Sequence, residues 1–132
     1  MQFHKDGTLP PDGSWIFVFG SNLAGRHGAG AAKAAAQLYG AQYGIGKGRT
    51  GQAYALPTKD EDLNTLSLDS ISEFVTRFDS YVELHPELNF WMTRVGCGLA
   101  GHKDKDIAEM FWVVAEFENI SWPEDWRKYL EL

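Results

Sequence analysis

The stretch from Trp15 to Leu38 constrains the fold more than any other part of the chain. It opens with Trp-Ile-Phe-Val-Phe, an aromatic and β-branched run that stops at Gly20, as a strand inside a sheet does. It closes on an alanine run from Ala31 to Ala36, which favours helix. Between them lie Gly20, Gly25, Gly28 and Gly30, four glycines in eleven residues, more than a bare strand-to-helix turn requires. The spacing predicts a buried strand over 15–19, then a glycine loop and helix over 20–39. Such a loop lets a ligand approach the main chain closely. It aims free N–H groups, together with the positive end of the helix dipole, at an anion above the helix start. Phosphate is the usual guest.

With 132 residues, 44% hydrophobic and 14% aromatic, the chain suits a single domain, residues 1–132, around one core. No apolar run is long enough to cross a bilayer, and the N-terminal Met-Gln-Phe-His-Lys-Asp-Gly lacks a signal-peptide apolar segment. A lone cysteine, Cys97, fits a reducing compartment. The expectation is a cytoplasmic protein with no membrane partner. The net charge of −6 argues against a nucleic-acid polymer as partner. Its distribution says more. From Gly13 to Lys59 there is no Asp or Glu, while Arg26, Lys33, Lys47, Arg49 and Lys59 fall in that span. A local positive field in an acidic protein points to a small anionic ligand.

Along the chain, residues 1–14 read as a lead-in with a turn at Leu-Pro-Pro-Asp-Gly-Ser. Residues 40–52 carry Gly40, Gly44, Gly46, Gly48 and Gly51 and read as a long connection able to move. They are no phosphate-binding Walker loop: Gly46-Lys47 lacks the earlier glycine and the following Ser or Thr. Residues 54–58 form a second strand ended by Pro57, and Lys59-Asp-Glu-Asp62 a solvated loop. Residues 69–85 form an amphipathic helix, with Ser70 and Glu73 at capping-box spacing and Ile71, Phe74, Val75, Phe78 and Val82 on its apolar face. Residues 90–95 make a third strand. Gly96-Cys-Gly-Leu-Ala-Gly101 is a second glycine loop, leading to a helix capped by Asp104 or Asp106 with Ile107, Met110, Phe111 and Val114 buried. A short strand over 119–122 and a C-terminal helix from Pro123 finish the chain. This alternation of strand and helix implies an α/β sandwich around a largely parallel sheet.

Two strand–glycine loop–helix units say more than one. In an open α/β sheet, ligands bind beyond the carboxyl ends of the strands, so both loops can face one cleft. A diphosphate clamped by two sets of main-chain N–H groups uses both. A dinucleotide fold fits less well. It needs an acid about 20 residues beyond the first loop, and none occurs before Asp60.

Phe19-Gly-Ser-Asn22, Gly28-Ala-Gly-Ala-Ala-Lys33-Ala, Gly51-Gln-Ala-Tyr-Ala-Leu-Pro-Thr58 and Val95-Gly-Cys-Gly-Leu-Ala-Gly101 together resemble the macro domains, which bind ADP-ribose. The wording of these motifs is most similar to a short, phage- and bacteria-associated macro-like family. The resemblance covers residues 15–122 and implies a three-layer α/β/α sandwich around a mixed, largely parallel sheet. It implies that Asn22 touches the distal ribose. Gly28, Ala29, Gly30 and Ala31 would hold one phosphate, and Gly98, Leu99, Ala100 and Gly101 the other. Gly20, Ser21, Gly96 and Cys97 would complete the ligand-binding set. The family's adenine-reading Asp has Asp12 as its nearby candidate. The first loop carries Arg26 and His27 where several hydrolytic members carry a carboxylate.

The ligand implied is ADP-ribose or an ADP-ribosylated substrate, with no cofactor and no metal. If the chain is catalytic, the reaction is attack of water at the distal ribose or removal of a phosphate from it. Bond cleavage at an anomeric carbon needs a held water and a proton acceptor. Asn22 and His27 are the catalytic candidates: Asn22 positions the sugar, and His27 titrates near neutrality in its free state. His102, Asp60 and Asp62 rank below them. A non-catalytic reader of the same nucleotide and a partner-binding domain with vestigial loops are the alternatives.

Overall fold

The structure is a computed structural model, described over residues 1–131. Six strands form one sheet: β1 (Gln2–His4), β2 (Trp15–Asn22), β3 (Gly48–Thr50), β4 (Ala53–Lys59), β5 (Asn89–Met92) and β6 (Ile120–Pro123). Their order is β1-β6-β5-β2-β4-β3, with every neighbouring pair parallel except β3 on β4. Four helices complete the fold: α1 (Gly30–Leu38), α2 (Leu68–Leu84), α3 (Asp104–Ala108) and α4 (Arg127–Leu130). The protein is therefore a mixed α/β sandwich around a mostly parallel sheet, as its alternating elements imply.

The side-chain alternation of β2 explains the layering. Ile16 and Val18 point into a core shared with α2, α3 and α4, which also holds Phe78, Phe90, Phe111, Trp122 and Trp126. Phe17 and Phe19 point the other way, against Ala32 and Ala35 of α1. Both faces of the strand are buried, so its sequence is a continuous apolar run rather than an alternating one. The alanines let α1 lie close to the sheet. On this face α1 packs with Phe17, Phe19, Ala53, Ala55 and Trp91.

Several sequence expectations are corrected. The lead-in contains β1, a strand too short to carry a periodic signal, with Phe3 against the main core. The 40–52 connection is not loose: it contains β3, Gly44 N–H donates to Gly25 C=O at 2.9 Å, and the Ser21 hydroxyl donates to Gly46 C=O. Strand β2 runs on to Asn22, so Gly20, Ser21 and Asn22 belong to the strand end and not to the loop. Helix α2 is capped by Ser67, whose hydroxyl accepts from Ser70 N–H, so Ser70 sits inside the first turn. Neither Asp104 nor Asp106 caps α3; its cap residue is Lys103, without a side-chain bond.

Candidate functional site

A cleft of about 720 Å³ opens at the carboxyl ends of β2, β4 and β5. Gly20, Ser21, Asn22, Gly28, Ala29, Gly30 and Ala31 line it from one side, and Gly96, Gly98, Leu99 and Ala100 from the other. The two glycine loops, distant in sequence, thus share one cavity. Its size lies within the range of ordinary small-molecule sites.

The first loop is held by neutral groups. The Asn22 side chain accepts from Arg26 N–H and donates to Arg26 C=O, both at 2.9 Å, closing the turn on itself. Gly25 has φ +71°, and a Cβ there would lie 2.4 Å from main-chain atoms of Gly44 and Ile45. Only glycine allows that approach. Beyond the turn the chain reaches the start of α1. Among the described residues the N–H groups of Ala29, Gly30 and Ala31 donate to no protein acceptor. A nine-residue helix thus begins at the cleft with its first donors free.

The second loop is held by charge. Arg94, at its start, makes a two-pronged bond to Asp104, at its end, at 2.8 and 2.6 Å. This partner drives the Arg94 pKa up, and Arg94 in turn holds the Asp104 carboxyl below the usual range. Trp126 Nε1–H also donates to Asp104, at 2.8 Å. His102 N–H donates to Gly96 C=O at 2.9 Å, and the Thr65 hydroxyl to Ala100 C=O at 3.0 Å. Clamped this way, the loop leaves the N–H groups of Gly98, Leu99 and Ala100 without a protein acceptor among the described residues.

Three expected site residues lie elsewhere. His27 is 5% exposed and does not line the cleft. Its Nε2–H donates to Gln42 C=O at 3.1 Å, and its ring meets Phe19 and Tyr43 edge-on. A histidine packed under the loop has no route to a substrate, so the expectation of a catalytic base there is corrected. Cys97 turns from the cleft, its thiol directed to Val95 C=O at 3.5 Å. Burial, with the nearby Asp104 carboxylate, pushes that thiol up to about 12, which disfavours the thiolate. Gly101 closes the back of the loop by donating to Gly98 C=O at 3.1 Å. Asn22 does line the cleft, but its amide is engaged with Arg26. Asp60 accepts from Asp62 and Asn64 N–H, and His102 Nε2–H donates to Leu66 C=O. Asp60, Asp62 and His102 all lie outside the cleft lining.

The structure adds residues that the sequence did not single out. The turn after β1 brings Asp6, Gly7, Thr8 and Leu9 to the cleft. Strand β5 brings Trp91, and the segment just beyond it Arg94. His4 stacks on Trp91 with centroids 3.9 Å apart and is fixed through Ser121 and Met92. Burial lowers its pKa, consistent with a neutral ring. Asp6, the one carboxylate of the lining, lies 3.7 Å from Arg94. Asp12 does not reach the cleft; it closes its own turn by accepting from Ser14. Exposed Arg26 and half-buried Lys59 bring positive charge to the Asn22 end. Among the described residues no three His, Cys, Asp or Glu side chains converge as a metal site, and no helix is long and apolar enough to cross a membrane.

No family model matches the chain, and no curated protein matches it. A solved structure titled as a protein of unknown function from Bacteroides thetaiotaomicron is similar in fold. The TM-score is 0.61 at 16% identity, over 92% of this chain and 96% of that one. At that identity the likeness speaks to the fold alone.

Proposed function

We propose that this chain is a macro-like domain whose cleft binds ADP-ribose or a related nucleoside diphosphate. One observation carries the reading: two sets of free main-chain donors, from loops far apart in sequence, line the same cavity. Glycine-loop N–H groups at a helix start suit a phosphate, and two such sets suit a diphosphate. The apolar end, with Trp91, Leu9 and Phe17, suits a flat base. Isothermal titration calorimetry with ADP-ribose tests the reading. Heat that saturates is expected, and it should vanish in Gly30→Glu, whose side chain would enter the cleft with a negative charge. Absence of heat at millimolar ligand would leave a partner-binding domain as the better account.

Hydrolysis is the second reading, and it rests on Asp6. With His27 buried, Asp6 is the acceptor a water in the cleft can reach. Turnover of O-acetyl-ADP-ribose or ADP-ribose 1″-phosphate should then fall in Asp6→Asn with binding kept. Equal turnover in the two proteins would remove Asp6 from the chemistry.

A further inference from the structure

A second, smaller pocket of about 190 Å³ lies between strand β4, the start of edge strand β3 and helix α2. Lys47, Gly48, Tyr54, Ala55, Pro57, Phe74 and Arg77 line it, and none of them lines the larger cleft. Two cations stand at its mouth. Lys47 and Arg77 are exposed and form no ion pair among the described residues. Arg77 is already placed, its guanidinium carbon 5.4 Å from the centroid of the Phe74 ring.

An independent feature lies deeper. Tyr54, which lines the pocket, is 7% exposed, and its hydroxyl is not sealed from solvent. The neighbouring Tyr81 hydroxyl accepts from Arg49 at 3.4 Å. Burial pushes the Tyr54 phenol up to about 12, so it keeps its proton and acts as a donor. The carboxyl whose charge it feels is Asp79, which burial and the charge of Glu83 push up to about 7.

We propose that this pocket is a binding site for a small organic anion, its carboxylate or phosphate group taken by Arg77, Lys47 and the Tyr54 hydroxyl. Ala55, Pro57 and the Phe74 ring form its apolar wall. The volume corresponds to roughly six waters, enough for an acid group on a short apolar stem and too little for a nucleotide. The site is independent of the diphosphate reading of the larger cleft.

An amide-resolved NMR titration at pH 6.5 tests it, with sodium benzoate in one arm, inorganic phosphate in another and sodium chloride at matched ionic strength as reference. Saturable shifts are expected at Lys47, Gly48, Ala55 and Arg77 with benzoate or phosphate, and none that saturate with chloride. Whichever probe saturates identifies the acid group preferred. Arg77→Gln, an exposed change, should abolish saturation. Tyr54→Phe, which keeps the ring, should weaken binding roughly tenfold or more, the worth of one hydrogen bond to a charged group. Shifts that fail to saturate with both probes, or that persist unchanged in Arg77→Gln and Tyr54→Phe, would overturn the proposal.

Discussion

The two glycine loops present the same kind of donor to the same cleft and are built by opposite means. The first is fixed by close packing and neutral hydrogen bonds: Gly25 against Gly44, Asn22 around Arg26, and the ring of His27 underneath. The second is fixed by an ion pair across its base, Arg94 to Asp104, while its glycine edge meets open space at Gly98. A cradle of free N–H groups needs rigid ends, and here rigidity comes from packing in one loop and from charge in the other. Packing fails when an atom is added. Charge fails when a proton or salt is added.

The contrast breaks most readily at the glycines. Gly25→Ala places a methyl 2.4 Å from backbone at a positive φ, so thermal melting should show a loss above about 4 kcal/mol. Gly98→Ala meets nothing within 4 Å and should cost less than about 1 kcal/mol. Similar losses for the two would erase the distinction. His27→Ala should destabilise by about 2–3 kcal/mol through the cavity it leaves, without touching any pH optimum of turnover; a shifted pH profile would restore it as a base.

Asp79 supplies the pH reference. Its carboxyl is raised to about 7, against about 3.9 in the unfolded chain. The folded state therefore holds the proton longer, and this group's contribution is lost as pH rises from about 4 through about 7. Asp79→Asn should gain on the order of 3 kcal/mol at pH 8 and little at pH 4. Equal gains at the two pH values would mean that the carboxyl does not titrate there.

With the Asp79→Asn change in place, the acid sensitivity of the second loop can be read cleanly. Asp104 is held below its unfolded value, so its contribution is present above about pH 4 and is lost as pH falls through the folded pKa. Arg94→Gln should cost about 1–2 kcal/mol at neutral pH and nothing further in acid. Asn22→Ala should cost a similar amount at every pH, because no charge is involved. Salt should erode the Arg94 effect and spare the Asn22 effect; equal salt dependence would show that the two loops are held alike.

Much of this was legible in the residues. The apolar run of Trp15–Phe19 and the apolar face of α2 are local patterns, and Val75, Phe78 and Val82 are buried as their spacing requires. What escaped was non-local. Strand β1 exists because β6, more than a hundred residues later, offers it a parallel edge. Asp79 lies on the buried side of α2 although its residue type favours solvent. His27 reads from the sequence as a candidate base facing the ligand, since nothing nearby in sequence shows that Phe19, Gln42 and Tyr43 close around it.

Residue order alone was enough to establish that strands and helices alternate and that two strand ends carry glycine loops, because glycine content and hydrophobic period act over a few residues. Which side chains share the cleft was settled at the level of the folded chain: Asp6 enters and Asp12 does not, Arg94 clamps, and His27 and Cys97 turn away. Those outcomes depend on strand order and on which backbone approaches which, and both are set by packing between segments that meet only when the chain folds.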